Sequence, residues 1–209
     1  MNKAKCVRLS EYRPYPFKIP KIKLDFVIYK EYVQLVSLMS IEPLTKTDQP
    51  LILYGQDLDL EGISINEQEL EKEEYKLSKT NLTIGTPPID PFELKLLVKL
   101  NPFNNASLEG LYLSKSHLVT QCEAEGFRRI CFHPDRPDVL SKYLVRIEAS
   151  FEDYPILLSN GNLIKASFIA SNPLRHEVIW EDPFPKPSYL FALVAGQLQK
   201  ISDVFIKNS

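Results

Sequence analysis

Residues 22–28 read IKLDFVI and residues 32–41 read YVQLVSLMSI. In both runs apolar side chains fall at about every second position, the period of a strand with one buried face. The gap between them, Tyr29-Lys30-Glu31, is hairpin-sized. The pattern recurs outward at 51–54, 58–65, 93–100, 143–150, 156–158, 163–169, 176–180 and 189–195, and Asn160-Gly161 marks a tight turn. Asp57, Asp59 and Glu61 alternate with Leu58, Leu60 and Gly62, which reads as a half-buried strand rather than an acidic ligand cluster. Sixteen prolines interrupt every possible long helix. The best helix candidate, 68–74, is short and heavily charged and fits a solvated turn as well. Pro183, Pro185 and Pro187 set residues 182–187 apart as a rigid structural corner before the last strand. The predicted fold is all-β and sandwich-like, with a smaller sheet packed against the main one.

A chain of 209 residues with 44% hydrophobic content is long enough for one large β domain or two small ones. The net charge of -2, with both signs mixed along the length, leaves no electrostatic footprint for nucleic acid. No apolar run is long enough for a membrane helix. The opening MNKAKCVRLSEYRPYPF has no apolar signal core, so secretion is not indicated. Cys6, Cys122 and Cys131 are an odd set without metal-ligand spacing, which reads as reduced thiols in the cytoplasm. Residues 1–196 form the expected β domain. Residues 197–209 (QLQKISDVFIKNS) begin another strand pattern, as a linker or the start of a further domain would.

The segment 120–143, TQCEAEGFRRICFHPDRPDVLSKY, is too polar and too broken to be core. If it is extended, Gln121, Glu123 and Glu125 share a face. An amide beside a carboxylate is a good receptor for a protonated amine. The same residue types fit a solvated acidic patch paired with Arg128 and Arg129. Two glutamates this close in sequence do not face each other across a glycosidic bond. Asp135, Asp138 and Arg136 read as structural: the aspartates as turn caps, Arg136 as a clamp on a buried carboxylate pair. His117, His133 and His176 lack H-E-x-x-H or helix-face spacing, no serine lies in a G-x-S-x-G elbow, and Gly110, Gly126 and Gly161 are too scattered for a phosphate cradle. No catalytic residue and no metal ligand is assigned. Tyr112, Phe127, Phe132, Trp180 and Phe184 fit a cleft or, more commonly, a core.

Several stretches in order, 108–112 (LEGLY), 120–127 (TQCEAEGF), 135–140 (DRPDVL), 154–162 (YPILLSNGN) and 180–196 (WEDPFPKPSYLFALVAG), resemble the amino-terminal domain of M1-family zinc aminopeptidases, particularly the bacterial alanyl aminopeptidase (aminopeptidase N) branch. The resemblance implies a saddle-like, mixed β-sheet domain, with zinc held in the domain that follows. Gln121 and Glu123 match the family's Gln-x-Glu element, which implies that Glu123 holds the free α-amine of a peptide substrate and Gln121 shapes the first side-chain pocket. Neither the G-A-M-E-N loop nor the H-E-x-x-H helix of the catalytic domain occurs here. The chain is therefore expected to be inactive alone, its partner being its own catalytic domain and zinc belonging only to the intact enzyme. Cys131 and His133 stand where typical branch members carry hydroxyl or aromatic residues, so local packing of the loop is expected to differ. The alternative is a standalone β-sandwich binding or scaffold module without enzymatic activity.

Overall fold

A computed structural model describes residues 8–44 and 49–204. Fifteen strands follow one another among them: β1 (Phe17–Ile28), β2 (Val33–Pro43), β3 (Leu51–Tyr54), β4 (Asp59–Ile65), β5 (Gln68–Glu69), β6 (Tyr75–Leu77), β7 (Asn81–Ile84), β8 (Phe92–Leu100), β9 (Gly110–Ser114), β10 (His117–Gln121), β11 (Leu140–Ser150), β12 (Ile156–Ser159), β13 (Asn162–Ile169), β14 (Asn172–Pro187) and β15 (Leu193–Gly196). They form an eight-stranded sheet in the order β13-β14-β11-β1-β2-β8-β4-β5, a four-stranded sheet β12-β15-β10-β9 and a three-stranded sheet β3-β7-β6. The large sheet is mixed: β1 runs parallel to β11 and every other pairing is antiparallel. The domain is all-β, and no helix among the described residues is long and apolar enough to cross a membrane.

Alternation explains the large sheet. Ile22, Leu24, Phe26 and Ile28 of β1 are buried, as are Leu35, Met39 and Ile41 of β2 and Leu94, Leu96 and Val98 of β8. A register shift between Lys18 and Lys21, around Pro20, lets Phe17 and Ile19 join the buried side although they are out of phase with Ile22. The buried side chains of all three sheets belong to one continuous apolar cluster. At its centre the Phe191 ring lies 5.3 Å from Phe127, 6.0 Å from Tyr143 and 6.1 Å from Phe26. This aromatic joint ties the segment before β15 to β1 and β11 of the large sheet.

Most of the expected strands occur, several of them longer than the sequence pattern. The hairpin at Tyr29-Lys30-Glu31 joins β1 to β2 with Ile28 opposite Val33, and residues 71–74 form a turn, not a helix. Three expectations need correction. The proline run is not a corner: β14 continues through Pro187. β13 begins with Asn162 opposite Glu181, so from Asp182 onward β14 has a neighbour on one side only. Pro183 and Pro185 fall in a register shift against β11, between the pairs Tyr143–Asp182 and Ser141–Lys186, where a missing N–H costs no ladder bond. The last run begins as a 3-10 turn, Ser188–Leu190, and is extended only over Leu193–Gly196. Residues 197–204 carry no strand. Asn160-Gly161 does turn the chain, but between sheets, from β12 to β13. Gly161 has φ +88°, and a Cβ there would lie 2.2 Å from the Glu181 carbonyl oxygen.

The aromatic joint gives a stability test. Phe191→Ala removes a side chain that is 3% exposed, and the expected cost is about 3–5 kcal/mol, read as a lower denaturant midpoint with unchanged slope.

Candidate functional site

The polar segment singled out in the sequence lies at the end of β10. That strand is held in the middle of the four-stranded sheet, with Gln121 opposite Gly110 on β9 and Leu118 opposite Ala195 on β15. The Thr120 hydroxyl donates to the Leu193 carbonyl at 3.2 Å and accepts from its amide at 2.8 Å. After Gln121 the chain does not stay extended. Cys122 is buried, and residues 123–126 turn back so that the Gly126 amide donates to the Cys122 carbonyl at 2.9 Å. The Glu123–Ala124 peptide is cis and Glu125 has φ 77°. Residues 123–126 form a turn, so the extended condition under which Gln121, Glu123 and Glu125 would share a face is not met.

Two glycines permit this closure. A Cβ on Gly126 would lie 2.4 Å from the Gln121 carbonyl oxygen, and one on Gly110 would lie 2.6 Å from the Arg129 Cβ. A 3-10 turn, Phe127–Arg129, follows. Its Phe127 ring enters the aromatic joint, 5.2 Å from His133 and 6.2 Å from Tyr143. The turn is thus pinned at both ends by buried residues while its tip stays in solvent.

Every acidic group around the tip has a basic partner except one. Arg128 Nε donates to Asp135 Oδ2 at 2.9 Å, and Arg128 Nη2 lies 3.2 Å from Glu125 Oε2. Arg129 pairs with Glu109 at 3.1 Å and with Asp57. The Glu123 side chain is exposed and its carboxylate makes no hydrogen bond or ion pair among the described residues. Gln121 donates from Nε2 to the Glu123 backbone carbonyl at 2.9 Å, which ties the amide to the backbone of the turn. The acidic-patch reading thus holds for Glu125 and not for Glu123.

Beneath the turn, Asp135 is 4% exposed. Its Oδ2 also accepts from the Arg128 amide at 3.2 Å, and its Oδ1 accepts from the Ser188 hydroxyl at 2.7 Å. The expected clamp on a buried carboxylate is therefore Arg128, not Arg136. Arg136 instead makes two bonds to the partly exposed Asp138, at 2.7 and 2.8 Å, and a third to the Arg13 carbonyl. Residue type could not distinguish these arginines, because the choice depends on which aspartate the sheets bury.

Three neighbours are chemically quiet. Burial, helped by the nearby Asp135 charge, pushes the Cys122 and Cys131 thiols up to about 12; both are free. Cys6 lies outside the described residues. His133 is fully buried, and burial lowers its pKa to about 4, against a smaller upward pull from Asp135. Its Nδ1 accepts from the Asp135 amide at 2.9 Å, so a second proton would break that bond as well as bury a charge. Of the aromatics, Phe127 and Phe132 are core residues, Trp180 is half-buried and donates to the Leu157 carbonyl at 3.2 Å, and Phe184 is exposed. Among the described residues no three His, Cys, Asp or Glu side chains converge to hold a metal ion. With the thiols protonated and the imidazole engaged, these residues do not fit a zinc ion, and no step runs through one here.

Residues 21–190 match the family described as the peptidase M1 N-terminal domain. The chain is 45% identical over 204 residues to aminopeptidase N of Caulobacter vibrioides, covering 98% of this chain and 23% of that protein. Among solved structures, Legionella pneumophila aminopeptidase A in complex with aspartic acid superposes with a TM-score of 0.86 at 36% identity, over 92% of this chain and 23% of that one. An M1 zinc metallopeptidase from Deinococcus radiodurans, at 12% identity and a TM-score of 0.72, shares the fold over 87% of this chain and 42% of its own. The chain thus spans about a quarter of the length of the aminopeptidases it matches at higher identity.

His133 sets an acid limit on the fold. Its folded pKa lies below the unfolded value of 6.5, so between pH 6.5 and about 4 the unfolded chain takes up a proton that the folded one refuses. Stability is expected to fall across that window as pH falls, by up to roughly 3 kcal/mol. His133→Asn, which keeps an acceptor for the Asp135 amide, should flatten this part of the profile in denaturant titrations at stepped pH.

Proposed function

This chain belongs to the M1 peptidase N-terminal domain family, and we propose that it supplies the amine-recognition element of a zinc-dependent aminopeptidase whose catalytic domain lies elsewhere. Glu123 receives the protonated α-amine of a peptide with a free N-terminus, and Gln121 forms part of the first side-chain pocket. The observation that carries this reading is the unpaired Glu123 carboxylate: it projects from a turn fixed at both ends, and every acidic group around it is neutralised by an arginine. A carboxylate held ready in this way meets an ammonium without first breaking an internal bond. A catalytic domain covering the tip would exclude water and strengthen the attraction.

The Gln121 side chain supports the same reading. Its Nε2 is tied to the backbone carbonyl of the residue that carries the carboxylate, which leaves Oε1 free to accept a hydrogen bond. The domain contributes binding and orientation, turning a long peptide into a substrate for removal of its first residue. It is inactive alone: bond cleavage and the zinc belong to the catalytic domain, and residues 197–209 are read as a linker toward it. The two free buried thiols support a reducing compartment, which we take to be the cytoplasm.

The test is peptide turnover by the polypeptide that joins this domain to its catalytic domain. Glu123→Gln keeps size and removes charge. A hydrogen bond to a charged group contributes about 1.5–3 kcal/mol, so kcat/KM for free-amine peptides should fall roughly 10- to 150-fold. Equal kcat/KM in the variant and the native protein would remove Glu123 from the mechanism.

A further inference from the structure

We infer that Arg128 is the positioning residue of this site, acting through Glu123 by fixing the far side of its turn against the buried Asp135. This rests on the amine-receptor reading above and adds to it a residue that touches no substrate.

Arg128 immediately follows the Phe127 anchor and is engaged through both backbone and side chain. Its carbonyl accepts from the Gln56 amide at 2.9 Å, and its amide and Nε both donate to Asp135 Oδ2. The guanidinium lies 4.8 Å over the Tyr54 ring. Its remaining arm, Nη2, reaches back to Glu125 inside the turn. The two carboxylates it bridges differ sharply: the Asp135 side chain is 1% exposed and the Glu125 side chain 67%. The buried pair fixes the position, since an unpaired charge at Asp135 would be strongly unfavourable. The exposed pair adds little stability, but it assigns roles. It neutralises Glu125 and draws it toward Arg128, so that of two glutamates two residues apart only Glu123 is left to meet an ammonium.

A planar guanidinium can serve Asp135 and Glu125 at once from different nitrogens, and a lysine ammonium on its flexible stem cannot reproduce that fork. Arg128→Lys keeps the charge and loses the geometry. In the polypeptide carrying the catalytic domain, it should lower kcat/KM for a free-amine dipeptide roughly tenfold, mainly through KM.

The deciding measurement is a double-mutant cycle with Glu123→Gln. If Arg128 acts through Glu123, the double variant is no worse than Glu123→Gln alone. Losses that multiply, or native kinetics in Arg128→Lys, overturn the inference and leave the amine-receptor reading standing. A native kcat/KM in Glu123→Gln instead overturns that reading and this inference with it. If Arg128→Lys melts too low to assay, Asp135→Asn, which keeps Arg128 but removes the charge that holds it, is read in the same cycle at a temperature below its melting point, with the same two outcomes.

Discussion

Asp135 is an ionisable side chain that the fold almost completely removes from water, and the domain is assembled so that it is never left alone there. Arg128 reaches it from the turn after β10, in the four-stranded sheet, and Ser188 reaches it from the end of β14, in the eight-stranded sheet. Its own amide is held by the His133 ring. The His133 backbone in turn exchanges two hydrogen bonds with Tyr54 on β3, in the three-stranded sheet, at 2.8 and 3.0 Å. The carboxylate thus joins segments that leave two of the sheets, and the Asp135 backbone links through His133 to the third. Removing a partner from a buried pair costs on the order of 3–5 kcal/mol, a large share of a typical domain's net stability.

This junction fixes the base of the exposed turn beside it. The apolar cluster resists rearrangement because every strand that contributes to it also carries ladder hydrogen bonds. Phe127 anchors the start of the 3-10 turn in the aromatic joint, and Arg128 fixes the next residue to Asp135. The intervening tip is held by its own closure, Gly126 to Cys122, by the Gln121 amide and by the Arg128–Glu125 pair. That is sufficient for the backbone and leaves the Glu123 carboxylate uncommitted. Rigidity comes from the buried side of the turn, and the unpaired carboxylate lies on its solvent side.

The strand pattern was readable because burial on one face forces a period of two, and β1, β2, β8 and β11 carry it clearly. It was less readable where strands are short or exposed. β6, β7 and β9 have three to five residues each, too few to establish a period. β14 was cut short in the reading because proline normally ends a strand, a rule that relaxes where one side of the strand is unpaired. At the site, Gln121 and Glu123 stood out as residue types, and the resemblance to a known family gave them a proposed role. Whether the segment between Gln121 and Gly126 is extended or turned is not legible locally, because the need for glycine is set by the carbonyl of a residue five positions earlier.

By itself the sequence determined the all-β class, most of the strands of the large sheet and the absence of a self-contained catalytic motif, since each depends on local periodicity or fixed spacing. Tertiary structure alone decided which arginine grips the buried carboxylate, which glutamate is neutralised and which stays free. Those outcomes depend on desolvation, and the water surrounding Asp135, Glu125 and Glu123 is set by strands far away in the chain.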